Sequence, residues 1–145
     1  MIRFCAAALF IAFVAAIPIF SADLGAQGVA SDGIYTTAQA MRGRALYQAR
    51  CASCHGGALA GEDTNPPLAG GRFLANWSGQ SVGALARRIR STMPLEDPGS
   101  LTLRQTTDVV AYMFQANTFR GGKAELPSNP EQLNRVRIDA PRRGR

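Results

Sequence analysis

The sequence predicts an all-α fold of three to four short helices. Apolar residues recur at helical spacing in three separate segments, each opened by a hydroxyl-bearing capping residue. No segment shows the period-two alternation of a strand, and neither a repeat nor a linker divides the chain. A glycine- and proline-rich stretch separates the first helix from the others.

The 145 residues suit one domain. At the N-terminus, Arg3 precedes an unbroken apolar run, Phe4–Phe20, and then small residues with Ala22 or Ala26 as cleavage points. This is the layout of a secretory signal peptide, expected at 1–26, with Ala26 preferred because Phe20 is bulky for a cut after Ala22. The run is shorter than the roughly 20 residues of a spanning helix, so cleavage is favoured over an uncleaved anchor. Cys5 leaves with this segment.

"TTAQAMRGRALYQARC" is the first helix, with Thr36 as cap and Gln39 as its capping-box partner. Gly43 gives it a flat spot for another helix. Residues 56–71, "GGALAGEDTNPPLAGG", form a loop. "SVGALARRIRST" is the second helix, capped by Ser81, with Val82, Leu85, Ala86 and Ile89 as its stripe. It ends before Met93, because Pro94 disfavours helix there. "TLRQTTDVVAYMFQAN" is the third, with a Thr102–Gln105 capping box and Val109, Tyr112, Met113 and Ala116 as the apolar face. A short fourth starts at Asn129–Pro130 and buries Leu133 and Val136. Residues 139–145 form a disordered basic tail, and the domain spans 35–138. Such helices make a thin core, which an apolar group in the middle would complete.

The formal charge is +6, and all 16 basic residues except Lys123 are arginine. This surface attracts acidic partners. The arginines are scattered and the N-terminus points to export, which argues against nucleic acid.

"RCASCHGG", residues 50–57, holds both remaining cysteines and the chain's one histidine. A disulfide across two residues would barely constrain the chain. Structural zinc needs a second pair of ligands. A thioredoxin-like dithiol needs a βαβ context. What remains is C-x-x-C-H as a covalent haem site: Cys51 and Cys54 add to two vinyl groups, and His55 binds the iron. The sixth iron position then decides the function. Met41, Met93 and Met113 are available. Met41 and Met113 lie in helices expected to pack away from the iron. Met93 stands between a helix end and Pro94, far enough from His55 for the chain to round the ring. The alternative for Met93 is gap filling in a loop.

"CASCH", a proline-containing loop, "TMP" and the closing "DVVAYMFQAN" helix resemble a class I c-type cytochrome. Within that family, "PPLAG", "STMPLEDPGSL" and "AELPSNPEQL" are similar to monohaem cytochromes associated with quinoprotein (PQQ-dependent) dehydrogenases. The resemblance implies a cytochrome c-like fold around one haem c, and a crossing of Gly43 and Tyr47 with the C-terminal helix near Tyr112. It implies that the Pro67 carbonyl accepts a hydrogen bond from His55. It also places Trp77 beside a haem propionate, with Arg72 as a possible partner; simple core packing is the equal alternative for Trp77.

The expected function is periplasmic single-electron transfer through a His/Met-ligated haem, from a dehydrogenase towards a terminal oxidase, without enzymatic activity of its own. The partners are redox proteins, with no membrane span after cleavage. The alternatives are a haem enzyme subunit or a small-ligand-binding haem protein, each with an open sixth position.

Overall fold

The computed structural model of the protein describes residues 33–140. The signal peptide expected at 1–26 and residues 141–145 of the expected tail lie outside them. The described residues form α1 (Thr37–Arg50), α2 (Ala52–His55), α3 (Gly71–Trp77), α4 (Val82–Thr92), α5 (Leu103–Ala116) and α6 (Pro130–Arg135). Among them there is no strand, only the isolated bridges Glu62–Asn65 and Ser81–Arg137. The fold is all-α, as the sequence predicts. Two very short helices, α2 and α3, add to the four expected. Phe73, Leu74 and Trp77 share one side of α3, a spacing too brief to stand out in the sequence.

The expected caps form. Thr36 accepts from the Gln39 amide, Ser81 from Ala84, Asn129 from Gln132, and Thr102 and Gln105 close a full capping box. Gln39 is a correction. Its side chain does not return to Thr36. It spans 87 residues, donating to the Leu126 carbonyl and accepting from the Leu126 amide. A buried amide needs both bonds, and Leu126 supplies them.

The crossing of α1 over α5 is the centre of the fold. Gly43 sits against the backbone of Asp108 and Val109, so close that a Cβ would overlap the Asp108 carbonyl oxygen. One turn on, Tyr47 and Tyr112 meet with ring centroids 5.4 Å apart, as expected from the resemblance. Directly before Gly43, Arg42 donates twice to the largely buried Asp108 carboxylate, at 3.0 and 3.1 Å, and once to Glu125. α5 is buried far more widely than one stripe. Val110, Ala111 and Phe114 join Val109 and Met113 in the core, whereas Ala116, expected inside, is exposed. The reason is that α1 and α4 both pack on this helix, and Phe119 stacks against Phe114.

That segment, 118–138, wraps the back of the domain. The Tyr35 hydroxyl donates to the Phe119 carbonyl, and the Gly122 amide donates to the Tyr35 carbonyl. Further on, Ile138 exchanges backbone bonds with Gly79 and Gln80, and Val136 accepts from Val82. Leu133 of α6 is fully buried and Val136 partly so.

The helix crossing generates a stability prediction. Gly43→Ala forces α1 away from α5 and costs about 2 kcal/mol or more, by the overpacking penalty of a filled contact. Thermal unfolding of the haem-loaded protein measures it. An unchanged melting temperature would contradict the close approach.

Candidate haem site

α1 ends at Arg50, and its cap residue Cys51 starts the next turn. The Cys51 carbonyl accepts from both the Cys54 amide (3.2 Å) and the His55 amide (2.9 Å). This closes α2 as a single turn carrying both thiols and the imidazole. Gly56, at φ +75°, turns the chain away directly after His55.

Tyr47 locks the turn from above, its buried hydroxyl donating to the Gly56 carbonyl at 2.6 Å. Burial pushes that hydroxyl up to about 12, so it stays protonated and remains a donor. Gly61 holds the loop from below. Its amide donates to the His55 carbonyl at 2.9 Å, and at φ +78° a side chain there would press on the Asn65 carbonyl and Pro67 nitrogen.

His55 is buried, 7% exposed, and its Nδ1 lies 2.9 Å from the Pro66 carbonyl oxygen. A carbonyl only accepts, so Nδ1 carries the proton and Nε2 keeps its lone pair for a metal. The acceptor is Pro66, not the expected Pro67. In a proline pair the extended backbone turns successive carbonyls to different sides, so only one faces the imidazole.

Around these groups the protein atoms enclose a cavity of about 180 Å³, open on one side. By this measure a single water needs roughly 10–15 Å³, so the space suits a much larger group. Its wall is mostly carbon. Cys51, Cys54, His55 and Pro66 form one side; Leu85, Ile89, Thr92, Met93 and Pro94 form another; Val109 and Met113 form the floor.

Met93 caps α4 in extended conformation, its amide bonded to the Ile89 carbonyl at 2.9 Å, and its side chain is half-buried. α4 stops where Pro94 was expected to stop it. Of the other methionines, Met41 is 65% exposed on α1, away from the cavity as expected. Met113 is not: it lines the cavity, because the inner face of α5 is the floor. Trp77 stands in the wall, half-buried. Arg72, the arginine expected beside it, is exposed on the first turn of α3 outside the wall. The arginines that do line the cavity are Arg50 and Arg88, which sequence reasoning missed. Asn117 was missed as well. Beyond stopping α5, it accepts from the Gly70 amide and donates to the Leu68 and Met113 carbonyls, pinning the loop to the floor.

The residues fit a covalent haem. Burial, opposed by neighbouring Arg50, pushes the Cys51 thiol up to about 11, so it stays uncharged within the apolar wall. Cys54 is exposed at the rim, and neither cysteine is in a disulfide. Two thiols on one turn, an imidazole with a fixed free nitrogen and an apolar cleft form a donor set for a flat, apolar, iron-bearing ring. Elsewhere among the described residues there is no cluster of histidine, cysteine or acidic side chains able to hold a metal ion.

Residues 38–113 match the family model described as cytochrome c oxidase, cbb3-type, subunit III. No curated protein matches the chain at a significant level. Among solved structures, the sulfane dehydrogenase SoxCD from Paracoccus pantotrophus aligns at 23% identity with a TM-score of 0.49. The alignment covers 68% of this chain and 52% of the other, so this protein spans about half the length of that one. The family match runs over more than half of the sequence and takes in α1, the cysteine–histidine turn, Met93 and the inner face of α5. The chain therefore belongs to the cbb3-type subunit III family of cytochrome c domains: it is a class I c-type cytochrome.

Proposed function

We propose that the protein is a periplasmic monohaem cytochrome, exported on the leader at 1–26. In this reading residues 35–138 pass single electrons from a dehydrogenase towards a terminal oxidase. One observation carries it: both thiols, the oriented imidazole and Met93 line the same apolar cavity. The quinoprotein class of dehydrogenase is proposed from the likeness of "PPLAG", "STMPLEDPGSL" and "AELPSNPEQL".

Cys51 and Cys54 hold the haem through two thioethers, with His55 Nε2 and the Met93 sulfur as the iron ligands. When bound, the haem supplies a reversible one-electron couple. The protein's part is to hold those ligands still. The Pro66 carbonyl fixes the imidazole plane and raises its basicity. The soft Met93 sulfur favours the reduced state and raises the potential relative to two nitrogen ligands. Leu85, Ile89, Val109 and Met113 exclude water. No helix among the described residues is long and apolar enough to cross a membrane. In this reading the processed protein works without a membrane span.

Three outcomes test the proposal. The mature protein, denatured in acid and extracted with organic solvent, keeps its colour in the protein phase; a colourless protein after correct export and maturation rejects covalent attachment. Oxidised wild type shows the weak far-red sulfur-to-iron band. Met93→Ala loses it, binds carbon monoxide readily when reduced and has a lower potential. Met113→Leu keeps the band, at a packing cost of about 1 kcal/mol. If the band survives in Met93→Ala and vanishes in Met113→Leu, the floor methionine is the ligand. If wild type itself binds carbon monoxide readily, the iron position is open and an enzymatic or ligand-binding role takes precedence. Finally, with a formal charge of +6, reduction by its dehydrogenase slows as ionic strength rises. A rate that is flat or rises with salt indicates apolar docking or a permanent complex.

A further inference from the structure

The segment that carries Met93 into α5 has little of its own to hold it. Pro94 and Leu101 are buried at its ends, and everything from Leu95 to Ser100 is exposed. Inside it there are two backbone hydrogen bonds, Asp97 to the Pro94 carbonyl at 3.0 Å and Ser100 to the Asp97 carbonyl at 3.4 Å. Segments of this kind open locally at low free energy.

Two arginines reach it. Arg90 of α4 donates from Nε to the Leu101 carbonyl at 3.3 Å and anchors the far end. Arg50 comes from the other side. It is the last residue of α1, directly before Cys51, and it lines the cavity. Its Nη2 donates to Ser100 Oγ at 3.0 Å and lies 3.6 Å from Asp97 Oδ2. Arg50 therefore ties the end of α1, next to the cysteine–histidine turn, directly to the Met93 segment.

We propose that Arg50 is a positioning residue for the sixth ligand: its brace on Asp97 and Ser100 holds the 93–101 segment closed and keeps Met93 on the iron. This inference rests on Met93 ligation. The ion pair alone is weak, since Arg50 and Asp97 side chains are 40% and 64% exposed and solvent screens them. The bond to Ser100 adds direction, and both contacts fall on one short segment. Together they shift its opening by about three- to tenfold, the scale of one or two surface polar contacts. Arg50 also places a positive charge in the cavity wall, which disfavours the more positive, oxidised state.

The test is carbon monoxide binding by the reduced, haem-loaded protein, whose rate follows the opening of the Met93 segment, together with the potential. Arg44 serves as control: it is exposed on the same helix, outside the cavity wall, and its loss removes the same charge. Arg50→Ala binds carbon monoxide about three- to tenfold faster than Arg44→Ala and has a lower potential. Ser100→Ala and Asp97→Asn move the rate in the same direction by less. Arg50→Lys keeps the charge but not the forked geometry, so it restores the potential and leaves the rate raised. If Arg50→Ala follows Arg44→Ala in rate while Met93→Ala opens the iron, the brace is wrong and the ligand right. If Met93→Ala binds carbon monoxide no faster than wild type, Met93 ligation fails and the brace with it.

Discussion

The contact between Gly43 and the Asp108–Val109 backbone is the constraint on which the rest of the molecule depends. It brings α1 and α5 closer than two helices with side chains at the crossing could come. At that separation the Tyr47 ring lies against Tyr112 and its hydroxyl reaches the Gly56 carbonyl. Since Gly56 follows His55, the crossing fixes where the cysteine–histidine turn sits above the floor made by Val109 and Met113. A shift of α1 would move thiols and imidazole together relative to that floor.

The His55–Pro66 bond adds the second constraint, and it is local. It sets the imidazole's protonation and plane through the loop alone, with Gly61 and Asn117 holding that loop in place. Position comes from the helices and orientation from the loop. This division explains how a chain segment with almost no regular structure can carry a group that demands fixed geometry.

Much of this was legible in the sequence because its signals are short-range. Thr36, Ser81, Thr102 and Asn129 announce helix starts through contacts within one turn. Cys51, Cys54 and His55 lie in five residues, and Pro94 marks the end of α4 beside Met93. The missed features depend on partners far along the chain or on direction. Gln39 has the spacing of a capping-box partner for Thr36, yet its side chain bonds Leu126. Pro67 and Pro66 are equivalent in composition, and only the path of the backbone decides which carbonyl faces His55. Arg72 is nearer in sequence to Trp77 than Arg50 or Arg88, yet the direction of α3 turns it outwards. The neighbours of Met113 mark an apolar face, but nothing in them says that this face meets the cavity.

The strap formed by residues 118–138 has a consequence for the order in which the molecule is made. A chain is synthesised from its N-terminus, and α1 and its cysteine–histidine turn emerge early. Their fastening partners come late: Asp108 for Arg42 and Gly43, Phe119 and Gly122 for Tyr35, and Leu126 for Gln39. Contacts so distant in sequence close slowly and together. Cys51 and Cys54 thus follow a helix that stays unfastened until residues 108–126 have been made.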